Sequence, residues 1–360
     1  MTFDRTRPYN DLPPLPPRAE LETRAVLKRA IGARTALADL KGAGALIPNQ
    51  GILLQTIGLQ EARLSSEIEN VVTTSDQLYR ALADDARSAD HATREVLAYG
   101  RALAHGFRVV GHEHRPLATR LFEELASIIL GREAGVRRVP GTRLATPAGE
   151  VIYTPPDEEP RLRGLLANLE HFIHSQDDLD PLVRMAVMHY QFEAIHPFTD
   201  GNGRTGRIAN ILFLVEQGLL EIPVLYLSRF ILDRKSDYYR GLREVTESGD
   251  WEGWIVYMLE AVETTARHTE GRIRAIRALM DDTVARLKAE RPKLYSRDLV
   301  EVVFRHPYSK IRFLEQEGLG SRQRASRLLQ GLAELGILQE VRAGREAYFL
   351  NTGLMRLLAG

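Results

Sequence analysis

The chain contains 360 residues, 44% hydrophobic and 27% charged, an ordinary globular composition large enough for two or three domains. Its 48 Lys and Arg residues balance its 48 Asp and Glu residues, so net charge gives no reason to expect bulk binding to nucleic acid or membranes. Cysteine is absent, which excludes disulfides and thiolate zinc sites and agrees with a reducing compartment. With no apolar signal-peptide core and no apolar run long enough to span a bilayer, we expect a soluble, cytoplasmic protein.

Helical periodicity dominates most of the chain. Before it begins, residues 12–17 read Leu-Pro-Pro-Leu-Pro-Pro, which predicts an extended arm on the surface. Apolar residues then recur about every 3.6 positions, the period of an α-helix. The helices predicted from this spacing are 20–41, 51–73, 92–106, 115–130, 161–175, 182–195, 204–218 and 251–287.

One short segment departs from the helical pattern. Residues 146–149 read Thr-Pro-Ala-Gly, a turn signal, and the β-prone run Val-Ile-Tyr follows at 151–153. The sequence therefore predicts a short β-hairpin within residues 143–154.

The character of the sequence changes after about residue 290. Pro292 interrupts a long charged helix, and a compact segment with shorter elements follows. The predicted elements are helices at 296–305, 309–317 and 321–335 and a strand-turn-strand at 341–350. Three helices followed by two strands are the order of a winged helix-turn-helix.

The third of these short helices would be the recognition helix of such a domain. Ser321 would cap it, and its exposed face would carry Arg322, Gln323, Arg324 and Arg327. Two interpretations stay open, a DNA-binding module and a solvated basic face on a dimerisation module.

Residues 196–207 place several reactive groups together, reading His-Pro-Phe-Thr-Asp-Gly-Asn-Gly-Arg-Thr-Gly-Arg. His196 can take a proton near neutral pH. Asp200 suits Mg²⁺, which usually binds through one or two carboxylates plus substrate phosphates. The glycines let backbone N–H groups turn toward an anion at a helix start. Arg204 and Arg207 share one helix face and can fork onto phosphate oxygens. These are the parts needed to hold and attack a metal-bound polyphosphate.

This run resembles the signature of the Fic family, His-x-Phe-x-Asp/Glu-Gly-Asn-Gly-Arg-x-x-Arg, at every fixed position. Family members mostly transfer AMP from ATP to a hydroxyl side chain of a target protein, a reaction called AMPylation. The resemblance implies an all-α, mainly helical Fic fold with a short β-hairpin, the flap, at about residues 143–154. A target protein would dock on the flap by strand addition. ATP is the implied substrate and Mg²⁺ or Mn²⁺ the implied cofactor.

The resemblance also implies roles for individual residues. His196 would be the catalytic base, Asp200 would hold the metal and Arg207 would clamp the γ-phosphate. The other implied nucleotide-binding residues are Gly201, Asn202, Gly203, Arg204 and Gly206, with Tyr239 as a candidate near the adenine. From the residues alone, Asp200 could also cap the following helix, and Tyr239 is an equally good core aromatic.

A second match lies upstream, where residues 65–70 read Ser-Ser-Glu-Ile-Glu-Asn. They match the inhibitory motif of the Fic family, Ser/Thr-x-x-x-Glu-Gly/Asn. The resemblance implies an N-terminal inhibitory helix, about residues 57–73, that carries Ser65, Glu69 and Asn70. Glu69 would pair with Arg207 of the same chain and compete with the γ-phosphate for its guanidinium. The alternative is that Glu69 is simply a polar position on an amphipathic helix.

These assignments divide the chain into an N-terminal helical region at 1–110, a Fic catalytic core at 111–290 and a winged-helix domain at 291–360. The predicted function is transfer of AMP from ATP to a target protein, or to the enzyme itself, with inhibition in cis. One alternative is a Fic enzyme that removes AMP or transfers another nucleotide or phosphocholine. Another is a DNA-binding transcriptional regulator whose Fic domain senses nucleotide. A homodimer is left open, and no membrane partner is expected.

Overall fold

A computed structural model of the chain describes residues 3–84, 89–146, 148–343 and 346–359. The fold is mainly helical with a small antiparallel strand pair, which confirms the predicted fold class. In chain order the helices are α1 (Arg24–Gly44), α2 (Gly51–Ile68), α3 (Ser75–Ala83), α4 (His91–Phe107), α5 (Thr119–Leu130), α6 (Glu159–Ile173), α7 (Pro181–Ile195), α8 (Asn202–Glu216), α9 (Leu227–Asp233), α10 (Lys235–Ser248), α11 (Trp251–Glu290), α12 (Arg297–Arg305), α13 (Ile311–Gln316), α14 (Arg322–Glu334) and α15 (Thr352–Ala359). Within these ranges, no helix is long and apolar enough to cross a membrane.

The strands form two small sheets. The hairpin pairs β1 (Leu144–Ala145) with β2 (Val151–Tyr153), and the second sheet has the order β3 (Tyr308–Ser309), β5 (Glu346–Leu350), β4 (Gln339–Ala343). All pairings are antiparallel. Pro147 of the predicted hairpin turn and residues 344–345 of the predicted C-terminal turn lie outside the described residues.

Each helix predicted from periodicity has a counterpart, whereas α3, α9, α10 and α15 were not predicted. The reason is clearest for α10, which buries only Tyr238, Gly241 and Val245 and so has a narrow apolar stripe. The predicted boundary of α2 was wrong, because the helix ends at Ile68 instead of residue 73.

The two helices that carry the signature lie at the centre of the molecule. Every residue of α7 except Pro181 and Glu193 is buried, and α8 is buried from Arg204 through Leu214. A helix that is apolar on all sides is stable only inside a core. The loop that joins α7 to α8 is therefore held in place by two helices that pack inside the core.

The N-terminal arm packs against the hairpin. Leu12 and Leu15 of the proline-rich run are buried, so the arm is anchored to the body of the protein. The N–H of Tyr9 donates to the carbonyl of Thr154 at 3.0 Å. The hydroxyl of Tyr153 in turn donates to the carbonyl of Ala194 at 2.8 Å, which ties β2 to the end of α7.

The C-terminal segment contacts the N-terminal helices directly. Asp84, after α3, accepts hydrogen bonds from Lys310 and from the Tyr348 hydroxyl. Lys310 is buried and also bonds Glu346 at 2.7 Å. Buried charges are stable only when paired in this way, so the segment has a defined position against α3.

Candidate active site

His196 terminates α7 in an unusual backbone conformation. Its φ of 49° lies in the left-handed region, and its N–H donates to the carbonyl of Phe192 at 3.0 Å. Arg137 secures this helix end, because its Nε donates to the carbonyl of His196 and its N–H donates to the carbonyl of Pro197, both at 2.9 Å. A cation at a helix C-terminus also offsets the partial negative charge of the last carbonyls. The imidazole is thereby presented at a fixed point.

The surroundings of His196 keep its ring uncharged. Burial, and then the positive charge of Arg137, lowers the pKa of His196 to about 4. An imidazole with this pKa is neutral at physiological pH and is free to accept a proton.

We expect the His196 ring not to titrate between about pH 5.5 and pH 8, because its pKa lies below that window. The ring Cε1–H resonance, assigned by its loss in His196→Gln, should keep its shift across this range. The unfolded state takes up the proton first as the pH falls, so this residue contributes less stability below its ordinary pKa. A titration midpoint near 6.5 would contradict the burial argument.

The loop after His196 is closed by one amide side chain. Asn202 Oδ1 accepts from the N–H of Phe198, and its Nδ2 donates to the carbonyl of Phe198, both at 2.8 Å. Gly201 makes the turn possible with a φ of 76°. Both polar atoms of the Asn202 side chain are thus occupied by the loop. The Asn202 side chain therefore holds the loop together, a structural role beside its predicted contact with the nucleotide.

The first turn of α8 offers backbone donors to an anion. Its first N–H groups, on Asn202, Gly203 and Arg204, precede the first intrahelical bond, which Thr205 makes to the carbonyl of Gly201 at 2.9 Å. Such a helix start attracts phosphate.

Gly206, a predicted nucleotide-binding residue, has a packing role in the structure. It lies inside α8, and a Cβ there would come within 2.7 Å of Glu193 Oε1 and 3.1 Å of the Phe192 ring. The absence of a side chain therefore lets α7 and α8 approach closely, and its helical N–H is not at the open helix start.

Asp200 lies just before the start of α8, and Arg204 lies in its first turn. The Asp200 side chain is 64% exposed. Its Oδ1 accepts from the N–H of Gly201 at 2.5 Å and lies 3.6 Å from Nη2 of Arg204. Arg204 is buried and donates from Nη1 to Glu95 Oε2 at 2.8 Å. No cluster of three or more His, Asp or Glu ligands occurs among the described residues. A single exposed carboxylate fits an Mg²⁺ that arrives with phosphates, since this ion commonly takes few protein ligands.

Arg207 is held by the end of α2. Its Nε donates to Ser65 Oγ at 2.8 Å, and its Nη2 donates to the Ser65 carbonyl at 3.0 Å and to Glu69 Oε1 at 2.8 Å. The side chain of Arg207 is 1% exposed and that of Glu69 36%. A Cβ on Gly203 would lie 2.4 Å from Glu69 Oε1 and 2.9 Å from Arg207 Nη1. The ion pair therefore sits directly over the first turn of α8.

The pKa shifts of Glu69 and Arg207 agree with a strong ion pair between the two side chains. Burial opposes ionisation of Glu69, but the charge and hydrogen bond of Arg207 hold its pKa below the ordinary value. Burial likewise opposes the charge of Arg207, and the negative charge of Glu69 keeps its pKa above the ordinary value. Both groups are thus charged at neutral pH.

The position of Glu69 depends on how α2 ends. Asn70 is left-handed with a φ of 63°, and the N–H of Val71 donates to the carbonyl of Ser66 at 3.0 Å. Together with the bond from the Asn70 N–H to the Glu67 carbonyl, this is a Schellman motif, in which Asn is tolerated at the left-handed position. Lys235 Nζ also donates to the Ile68 carbonyl at 2.6 Å. Asn70 therefore terminates the helix and leaves Glu69 at its tip.

Some of these groups line a cavity of about 810 Å³ that opens beside the hairpin. Glu69, His196 and Tyr239 all contribute to its wall, together with flap residues 142–146. Tyr239 is 43% exposed, and burial of its hydroxyl, followed by the charge of Glu69, raises its pKa to about 12. The predicted base His196, the predicted inhibitory residue Glu69 and the candidate Tyr239 thus line one cavity.

Four residues around the site were not predicted from the sequence. They are Glu95, Arg137, Glu193 and Lys235. Only Glu193 has a local signal, since it precedes His196 by one helical turn on α7. Burial raises its pKa to about 7, and its Oε1 is buried without a hydrogen-bond partner among the described residues. The others reach the site through contacts between segments distant in sequence.

The fold defines the class of the protein, a mainly helical domain whose central helices are joined by a glycine-containing loop. Family models match three parts of the chain: Fic/DOC family N-terminal at residues 27–108, Fic/DOC family at 114–214, and the C-terminal domain of SoFic-like protein adenylyltransferases at 279–354. The chain belongs to the Fic/DOC family.

Relatives with matching sequence are named protein adenylyltransferases, which are nucleotidyltransferases. The chain is 30% identical over 132 residues to protein adenylyltransferase fic-1 of Caenorhabditis briggsae, covering 36% of this chain and 23% of the relative. It is 27% identical over 123 residues to a probable protein adenylyltransferase of Aquifex aeolicus, covering 29% and 37%. The chain therefore spans well under half the length of these relatives.

Solved structures share the fold. A Fic family protein from Desulfovibrio desulfuricans G20 superposes with a TM-score of 0.59 at 21% identity, over 93% of this chain and 98% of that one. Fic-1 from C. elegans superposes with a TM-score of 0.53 at 20% identity, over 67% and 71%. At such identities the likeness concerns the fold alone.

Proposed function

We propose that this chain is a protein adenylyltransferase that moves AMP from ATP to a Ser, Thr or Tyr hydroxyl and that Glu69 inhibits it in cis. One observation carries the proposal. A neutral His196 and Glu69 line a single cavity beside the flap, and Glu69 engages Arg207 over the first turn of α8. The names of the relatives support adenylyl transfer as the reaction.

In the proposed reaction the target hydroxyl oxygen attacks the α-phosphorus of ATP. The bond from that phosphorus to the bridging oxygen of the β-phosphate breaks, pyrophosphate leaves, and His196 takes the hydroxyl proton. The N–H groups of Asn202, Gly203 and Arg204 would hold the phosphates, so catalysis rests on positioning and on stabilisation of developing charge.

Asp200 would hold the metal ion that accompanies ATP. Its carboxylate is exposed and lies beside the open helix start. A bound Mg²⁺ or Mn²⁺ would supply positive charge that offsets the charge of the phosphates.

Inhibition follows from competition between two anions for the guanidinium of Arg207. Its Nε and one bond from Nη2 already go to Ser65, and Glu69 takes a further bond from Nη2. A γ-phosphate and the Glu69 carboxylate would repel each other at the same guanidinium. Because the Ser65 bonds do not depend on Glu69, Arg207 would stay oriented for the phosphate once Glu69 withdraws.

The remaining regions have proposed roles. The flap would dock an extended target segment, because its residues line the cavity that contains His196.

The segment after about residue 290 has the element order of a winged helix, and its α14 exposes Arg322, Arg324 and Arg327. This face would bind DNA or a second copy of the chain. A cytoplasmic location would supply ATP and suits a chain without cysteine.

The proposal is tested by incubating Glu69→Gly protein with ATP labelled at the α- or the γ-phosphate, with and without cell lysate. We expect protein-bound label from the α-position only, and mass spectrometry should find an adenylyl group on a hydroxyl side chain. The matched control is Glu67→Gly, because Glu67 lies on the same helical turn but pairs with Arg63. Label from the γ-position, or a different added mass, would contradict AMP transfer.

A further inference from the structure

A second cavity, of about 620 Å³, lies between α2, α4 and the C-terminal segment. It shares no lining residue with the cavity around His196. Its α2 wall is formed by the first half of that helix, including Leu54 and Gly58, whereas Ser65 and Glu69 near the end of α2 face Arg207. The cavity is therefore separate from the proposed catalytic site.

The interior of this cavity suits a flat apolar group. Tyr79, Phe107, Tyr308 and Phe313 line it. The space beside Gly100 of α4 is open, since a Cβ there would meet nothing within 4 Å. Aromatic walls around such a space favour a ring system that can stack or pack edge to face.

The polar groups of the wall favour a negative charge. Arg101, Arg108 and Arg305 line the cavity, and no carboxylate does so among the described residues. Arg108 is engaged by Glu113, and Arg305 pairs with Glu317 at 3.1 Å. The Nε of Arg305 is nevertheless buried without a hydrogen-bond partner in the described part of the chain. This Nε is not itself open to the cavity, so a ligand would bind the terminal N–H groups of the Arg305 guanidinium.

We infer that this cavity binds a small organic anion with a flat apolar body, such as an aromatic carboxylate or sulfonate. The apolar body fills the space beside Gly100, and the acidic group accepts from Arg305 with support from Arg101. The volume lies within the range of roughly 300–1,000 Å³ typical of small-molecule sites, and the position between packed segments is a common one for them. The site does not depend on the proposed transfer reaction.

Two fluorescent probes with the same ring system test this site. They are 8-anilinonaphthalene-1-sulfonate and its uncharged counterpart N-phenyl-1-naphthylamine. The full-length protein should bind the sulfonate at one site, at least roughly tenfold more tightly than the neutral probe, a difference of about 1.4 kcal/mol. Arg101→Gln/Arg305→Gln should remove most of this preference.

Gly100→Leu should fill the cavity and weaken sulfonate binding at least roughly tenfold. The substitution is compatible with folding, because Gly is an unfavourable residue in a helix interior, about 1 kcal/mol less stable there than Ala. The control is Gly271→Leu on α11, where a Cβ also meets nothing within 4 Å but lies outside the cavity. Wild-type affinity in Gly100→Leu, or equal affinity for the two probes, would overturn the inference. Because neither measurement involves AMP transfer, the outcome is independent of the proposed function.

Discussion

Replacing His196 by alanine is expected to lower AMP transfer by about 10²–10⁴-fold, the usual contribution of a general base. Nucleotide affinity should change little, because in the proposed reaction the ring would act on the target hydroxyl while the start of α8 would hold the phosphates. The effect is best measured in the Glu69→Gly background, where transfer is not limited by the ion pair. Initial rates with α-labelled ATP report turnover, and calorimetry reports nucleotide binding.

The backbone at this position requires a second variant. His196 has a φ of 49°, a conformation that alanine adopts less readily than asparagine. His196→Asn should therefore lose transfer with less strain, and His171→Ala, an exposed position on α6, should keep it. If both position-196 variants label as fast as their parent, His196 is not the base.

The groups that are close in sequence could be predicted well. Residues 196–207 form one loop and one helix start, so their spacing alone brings a base, a carboxylate and free N–H groups together. Asn70 also ends its helix through local geometry, being left-handed, but this role was not predicted. The motif match located Glu69, but the helix boundary was placed too late because the apolar run Val71-Val72 continues the pattern beyond Ile68.

The supporting residues could not be predicted because they act across the fold. Arg137 bonds the carbonyl of His196 from 59 positions away, and Glu95 bonds Arg204 across 109 positions. Periodicity describes one helix face at a time and contains no information on which faces meet. The same limit explains Asn202 and Gly206, whose roles in closing the loop and in packing α7 against α8 appear only in three dimensions.

Replacing Glu69 by glycine is expected to raise AMP transfer at least roughly tenfold, about 1.4 kcal/mol of barrier. The carboxylate occupies Nη2 of Arg207 over the first turn of α8, where the γ-phosphate would bind. Its removal leaves the two Ser65 bonds in place, so Arg207 gains a free donor without losing its orientation. Initial rates of labelling, with Glu67→Gly as the matched control on the same helix, measure the gain.

The proposed mechanism also predicts the transfer rate of a double variant. Glu69→Gly combined with Arg207→Ala should lose the gain, because the freed arginine is what the first substitution supplies. The two sites should be strongly non-additive, as expected within one ion-pair network. A general loosening of the helix end predicts something different, a lower melting temperature in both Glu69→Gly and Glu67→Gly, with the same change in rate. Transfer by Glu69→Gly at or below the wild-type rate would remove the inhibitory role of Glu69. A gain that survives Arg207→Ala would show that inhibition acts through another group.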